Sequence, residues 1–207
     1  ILEQEVDVEA CKRLNVDIVR RMTGGGAVYH SYEGEITYSV IVNQDHPKIP
    51  RDILESYELI CQGIILGMTK LGIKAEFRPI NDIDVNGKKI SGNAQTRRWG
   101  VFLQHGTILL DTDIKTMFTV LKVSAEKISD KLIKSVEDRV TTIRRELGRS
   151  VSFAEASDSL KTAFPQILGI ELFEAGLSAE ERVLATQLMK EKYQSWEWIE
   201  KRPMRKM

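Results

Sequence analysis

Cysteine is scarce: only Cys11 and Cys61 occur in 207 residues, and they form no CxxC pair. That scarcity excludes a disulfide framework or a multi-cysteine metal site, and both lie in apolar stretches that suit buried, reduced thiols. Net charge is lacking too, with 30 Lys+Arg set against 30 Asp+Glu. This removes the usual electrostatic basis for a nucleic-acid or anionic-membrane partner, so neither is expected. Apolar stretches such as Ile36 to Val42 are broken by polar residues and fall far short of the roughly 20 residues a membrane-spanning helix needs. Ile1 to Val8 has neither a basic start nor an apolar run, so no secretory signal is expected and the cytoplasm is the expected location. Internal repeats, low-complexity tracts and Pro/Gly/Ser linkers are also missing. What remains is enough for one sizeable core, with 42% hydrophobic residues, and a single domain is expected over residues 1–207.

Periodicity gives a coarse map. Val8, Cys11 and Leu14 recur at helical spacing, and the β-branched run Val16 to Arg21 predicts a strand leading into a glycine cluster. Glu35 to Val42 reads as the next strand, with Pro47 and Pro50 in the loop after it. From Asp52 to Leu71 one broad apolar face predicts a long helix stopped by Gly72. Ile73 to Phe77 predicts a strand. Asn86-Gly87, between Ile83-Asp84-Val85 and Lys88-Lys89-Ile90, is a strong hairpin signal because a type I′ turn needs positive φ at both central residues. Gly100 to Leu110 completes four or five strands close together in sequence, which favours antiparallel pairing. The last hundred residues read as mostly helical, with Ser152–Glu155 and Ser178–Glu181 as capping boxes and Ile170 to Phe173 as one short strand. The fold class is α+β: a mostly antiparallel sheet flanked by helices.

Three patches depart from ordinary core or surface sequence. The first runs Arg20-Arg21-Met22-Thr23-Gly24-Gly25-Gly26-Ala27-Val28-Tyr29-His30. Three successive glycines are entropically costly and are kept where backbone approaches something closely or takes positive φ. Their amides can also cradle an anion. Neither a Walker ending nor GxGxxG is satisfied, and a flexible turn competes as an explanation. The second patch is Asn81-Asp82, the hairpin bearing Lys88 and Lys89, and Ser91-Gly92-Asn93-Ala94. A strand-borne lysine beside small residues can stabilise negative charge in a transition state, and Asp82 could help hold magnesium. Each alone is more simply a surface charge; Lys88 is expected to be one, since strand neighbours face opposite ways. The third is His105-Gly106-Thr107 within a strand, where Gly106 implies close approach of another backbone or a ligand. A lone histidine there is more often a hydrogen-bonded core residue.

Taken in order, these patches resemble the signature of the lipoate-protein ligase family: Arg-Arg-x-Thr-Gly-Gly-Gly-Ala-Val, Asn-Asp, Gly-Lys-Lys-Ile-Ser-Gly-Asn-Ala, then His-Gly-Thr with Leu-Leu-Asp. The likeness runs from about Val6 to Asp113, and Leu177 to Trp198, with Lys192-Tyr193 and Glu197-Trp198, resembles the end of the family's catalytic domain. The resemblance implies a biotin/lipoate protein ligase-like fold. It implies an ATP-dependent ligase that activates lipoate or octanoate to acyl-AMP and transfers the acyl group to a lysine of a lipoyl-domain acceptor, such as an E2 subunit or a glycine cleavage H-type protein. ATP and magnesium are the implied cofactors and lipoate the substrate. Lys89 is the implied catalytic residue. Arg21, Thr23, Gly24, Gly25, Gly26, Ala27, Asn81, Gly92, Ala94, His105 and Thr107 are implied in substrate or adenylate binding, and Asp82 in magnesium binding.

The chain departs from the family pattern at both ends. Family catalytic domains begin earlier, with a helix and a strand that would precede Ile1, so Ile1 is expected to lie inside the fold, and many carry a C-terminal accessory domain, whose role a small accessory subunit could take. A rival within the superfamily is the octanoyltransferase branch, which acts without ATP. Its Gly-x-Ala-Gln-Thr-Arg and Gln-His-Gly runs resemble Gly92 to Arg97 and Gln104 to Gly106, and it can carry glutamate at Glu35. That branch forms a thioester on a cysteine upstream of the lysine hairpin, and Phe77 to Asp82 contains none. The ligase is therefore the expected activity, ahead of the transferase and of a noncatalytic lipoyl-binding protein. A biotin-protein ligase fits less well, because its Gly-Arg-Gly-Arg loop is replaced by Thr23 to Gly26.

Overall fold

The computed structural model describes residues 2–122 and 138–200. Its elements, in chain order, are helices α1 (Leu2–Glu5) and α2 (Val8–Arg13), strand β1 (Glu35–Asn43), helix α3 (Ile53–Lys70), strands β2 (Glu76–Arg78), β3 (Asp82–Val85), β4 (Lys88–Arg98) and β5 (Val101–Leu109), and helices α4 (Ile114–Val120), α5 (Ile143–Leu147), α6 (Phe153–Leu168), α7 (Ala179–Leu188) and α8 (Trp196–Glu200), with a π-helical turn at Met189–Tyr193 between the last two. The five strands form one sheet in the order β1-β5-β4-β3-β2, and every pairing is antiparallel. The architecture is α+β, as the clustering of strands implies.

Local chemistry explains the boundaries. Asp52 caps α3 by accepting from the Glu55 amide, and Gly72, at φ +92°, ends it. At the hairpin, Asn86 and Gly87 both take positive φ, 52° and 74°, and this reverses the chain into β4. Ser178 makes a full capping box with Glu181. Ser152 caps α6 through the Glu155 amide, but the Glu155 carboxylate turns to Arg149, 2.7 Å away, so that box is half-formed.

One sheet face packs on α3 and α6. Ile60, Cys61, Ile64 and Met68 of α3 are buried with Ile36, Ile83, Ile90, Phe102 and Ile108 of the sheet, each fully buried side chain contributing about 1.5–3 kcal/mol. No described helix is long and apolar enough to cross a membrane.

Three expected strands need correction. Val16 to Arg21 is extended but belongs to no ladder; its partly buried Val16 and Ile18 pack on α2 and Val120 instead. Ile73 to Phe77 becomes strand only from Glu76. Ile170 to Phe173 is irregular, with Phe173 88% exposed, because a β-prone segment without a neighbouring strand has nothing to pair with.

Candidate active site

The second sheet face is where the sequence motifs meet. Registration places Thr37 beside Thr107 and Ser39 beside His105. On the other side of β5, Gly92 lies beside Thr107 and Ala94 beside His105, and Asp82 lies beside Gly92. Since paired residues project to the same side, Thr37, Thr107, Gly92 and Asp82 form one row across four strands. Ser39, His105 and Ala94 form the next. The result is a shelf of small and polar groups.

The glycine loop is fastened to this shelf. Thr23 Oγ1 lies 2.6 Å from His105 Nε2, and Arg21 Nε donates to Thr23 Oγ1 at 3.0 Å. Arg21 Nη2 donates to the carbonyls of Gly24 and Gly26, both at 2.9 Å. Gly25 has φ +106°, and a Cβ there would fall 2.9 Å from Arg21 Nη2, so only glycine fits without strain. Burial, with Arg21 and His30 nearby, lowers the His105 pKa. His105 is therefore neutral at pH 7, which suits acceptance of a hydroxyl proton from Thr23. Ala27 donates its amide to Glu5 Oε2 at 3.1 Å, fixing the far side of the loop to α1.

Lys89 is held from its backbone outward. Its amide donates to the Arg139 carbonyl at 2.8 Å and its carbonyl accepts from Thr141 at 2.9 Å. The side chain, 39% exposed, reaches Asp82 Oδ1 at 2.6 Å. A Cβ on Gly92 would sit 2.9 Å from Lys89 Cε and Nζ, so the lysine stem fills the space that glycine leaves. Lys89 thus lies over the row that runs through Gly92 and Thr107 rather than pointing away from it.

Other expected residues fall differently. Asn81 Nδ2 donates to the Asn93 carbonyl at 2.5 Å, and Asn93 returns its own amide to the Asn81 carbonyl at 3.0 Å, so Asn81 fastens β3 to β4. Gly106 marks the approach of another chain segment: a Cβ there would come within 2.7 Å of the Gly92 carbonyl and 2.9 Å of Tyr38. Asp82 does not fit the magnesium expectation. Its Oδ2 accepts from Arg78 Nη2 at 2.9 Å while Oδ1 meets Lys89, so both oxygens face cations. Among the described residues no three His, Cys, Asp or Glu side chains converge as metal ligands.

Neither thiol reaches the shelf. Cys61 is fully buried on the opposite sheet face, with Asn93 Nδ2 3.5 Å from its sulfur, and burial pushes its pKa up to about 12. Cys11 is buried as well, and burial, followed by Asp7, raises its pKa. Both are thiols rather than thiolates at neutral pH.

The model of the lipoyl protein ligase A/B catalytic domain matches residues 2–165. The chain belongs to this family. An octanoyltransferase LipM from Geobacillus kaustophilus is 37% identical over 97% of the chain and 80% of its own length. Another octanoyltransferase LipM, from Kyrpidia tusciae, is 38% identical over 94% of the chain and 78% of its own. In structure, the chain is similar to a bi-partite lipoate protein ligase from Thermoplasma acidophilum, studied with its E2 lipoyl domain, at TM-score 0.85 and 33% identity over 95% of the chain and 75% of that one. The chain is an enzyme of the lipoate ligase and octanoyltransferase family, with the biotin/lipoate ligase fold. The expectation of an ATP-dependent lipoate ligase is corrected by its curated relatives, which are octanoyltransferases. Magnesium has no support among these relatives, while ATP is bound in a similar lipoate-protein ligase A, at TM-score 0.81 and 30% identity over 95% of the chain and 76% of that one.

The family motifs leave several supporting residues unread. Glu5 and the Arg139 to Thr141 segment hold the loop and the lysine from distant points of the chain, and Arg78 pairs with the Asp82 that meets Lys89. At the tail, Trp198 Nε1 donates to the Arg20 carbonyl at 2.9 Å and Arg20 Nη1 to the Trp198 carbonyl at 3.0 Å, with the guanidinium 5.0 Å from the indole centre. A tryptophan in a short helix gives no sign in the sequence of where it will dock.

Proposed function

We propose that the protein is an octanoyltransferase that moves an octanoyl group, or a lipoyl group, onto a lysine of a lipoyl-domain protein without ATP. The observation that carries this reading is the Lys89 ammonium, fixed over Gly92 at the edge of a row of small residues. A free carboxylate is a poor electrophile, so a reaction without ATP needs a donor already activated, and an acyl thioester is the natural class. Its carbonyl oxygen lies toward Lys89, which stabilises the oxyanion that grows as the carbonyl carbon becomes tetrahedral. Ala94 and Gly92 leave room for the acyl chain, and the loop from Arg21 through Gly24, Gly25 and Gly26 to Ala27 closes over it. Thr23, His105 and Thr107 hold the loop and line the shelf, and Asn81 keeps the lysine strand in register.

Because both thiols are buried, the acyl group passes directly from donor thioester to acceptor amine. The amine forms the new N–C bond, the C–S bond breaks, and the departing thiolate takes up the proton that the amine loses. Octanoyl carrier-protein thioester and a lipoyl-domain acceptor, mixed with the enzyme and no nucleotide, are expected to give an octanoylated acceptor by mass spectrometry. Transfer that requires added ATP would overturn the proposal.

A further inference from the structure

One titratable pair at the rim of the shelf has no part in the chemistry just described. Glu35 opens β1, two residues before Thr37 on the same face, and is paired in register with Leu109 of β5. Its side chain is only 5% exposed. One carboxylate oxygen is hydrogen-bonded to His30 Nδ1, while the other, Oε2, is buried with no partner. A buried carboxylate with one idle oxygen is costly to keep for packing alone. His30 lies four residues beyond Gly26, and its side chain is 51% exposed. With Nδ1 engaged by the carboxylate, Nε2 is left as the ring's second nitrogen. Arg21 and His105 are the other charged or titratable groups that act on the ring, and both belong to the shelf.

We propose that His30, oriented by Glu35, is the general base that takes the proton from the acceptor lysine as it attacks. This rests on the transferase reading above. An acyl transfer to an amine needs such a group, because the nitrogen becomes strongly acidic as its bond to the carbonyl carbon forms. The lysine enters as neutral amine. His30 Nε2 accepts one of its two protons as the N–C bond forms, and the imidazolium then gives that proton to the thiolate released when the C–S bond breaks. The imidazole ends neutral, so one amine and one thioester become one amide and one thiol. Glu35 fixes the ring and stabilises its charged form, the division of labour that a carboxylate–histidine pair supplies in other acyl-transfer sites. Consistent with this geometry, the hydrogen bond to Glu35 is the largest influence on His30 and raises its pKa despite burial and Arg21.

The test uses octanoyl carrier-protein thioester and a lipoyl-domain acceptor across a pH series, with wild type, His30→Ala and Glu35→Gln. Wild-type kcat is expected to rise with pH through one ionisation that lies above the ordinary imidazole value. In His30→Ala, kcat falls on the order of 100-fold, KM for the donor stays unchanged, that pH limb disappears, and added imidazole restores part of the rate. Glu35→Gln moves the limb to lower pH, which keeps the idea testable should His30→Ala fail to fold. A wild-type rate and pH profile in both variants would overturn the inference. So would a loss in His30→Ala that imidazole cannot repair and that comes with a higher KM, or a limb that Glu35→Gln leaves in place. Wild type inactive toward the thioester would sink the transferase reading itself, and this inference with it, before any variant is made.

Discussion

The two faces of the same sheet are built by opposite rules. On the inner face Phe102 is fully buried beside Ile60. Four polar residues there answer one another, although Ser91 Oγ beside them has no partner: Gln104 Nε2 donates to Tyr38 Oη at 3.1 Å, Tyr38 Oη to Asn93 Oδ1 at 2.7 Å, and Gln95 Nε2 to Gln104 Oε1 at 3.0 Å. On the outer face, one residue along each strand, His105 and Thr107 are only partly buried, and Glu35 keeps an unpartnered oxygen. A closed hydrogen-bond network specifies structure, whereas an open one is free to meet something else. Damage to the inner face should therefore appear in stability, and damage to the outer face in catalysis.

The largest expected effect lies inside. Phe102→Ala should cost about 3–5 kcal/mol of stability while leaving kcat near wild type below the melting transition, as denaturant titration and steady-state rates would show. A large loss of kcat in the folded variant would blur the division between faces. Next comes Lys89→Ala, expected to lower transfer on the order of 100-fold with Tm unchanged; transfer at the wild-type rate would remove Lys89 from the chemistry. Gly25→Val places a β-branched side chain at positive φ and against Arg21, and should raise KM for the acyl donor roughly tenfold, about 1.4 kcal/mol. An unchanged KM would detach the glycine loop from binding. Cys61→Ser, on the inner face, should cost about 1 kcal/mol of stability and leave transfer intact, because no thioester forms there.

The smallest effect is pH-dependent and belongs to the outer face. His30 has a raised pKa in the folded protein, so its contribution to stability is fully present below the unfolded value of about 6.5 and is lost as pH rises through the folded value. A shallow fall in Tm over that window is expected in wild type and should be absent in His30→Gln. The same slope in both would assign the titration to another group.

How much of this was legible beforehand depended on the range of the interactions. The helix at Ile53–Lys70 and the Asn86-Gly87 turn were readable because a cap, a period and a turn type are local properties. So were the glycine loop, Lys89 and His105, as motifs. Val16 to Arg21 and Ile170 to Phe173 were misread because β-branched composition says nothing of whether a neighbouring strand exists. Glu5 escaped notice, and Trp198 was read only as part of a tail motif, because their partners, Ala27 and Arg20, lie far away along the chain. Magnesium at Asp82 gains no support, because the strand pairing turns Arg78 and Lys89 toward its two oxygens. The choice between ligase and transferase was weighted by the thiol missing before the hairpin; its relatives point the other way, and a cysteine is dispensable when donor and acceptor meet directly.

The clasp between Trp198 and Arg20 has a mechanical meaning. Arg20 is one peptide bond from Arg21, whose guanidinium grips two carbonyls of the glycine loop, so the last helix described is tied through Arg20 to that loop. Any displacement of that helix would therefore be felt at the glycine loop, whose first glycine, Gly24, lies four residues beyond Arg20.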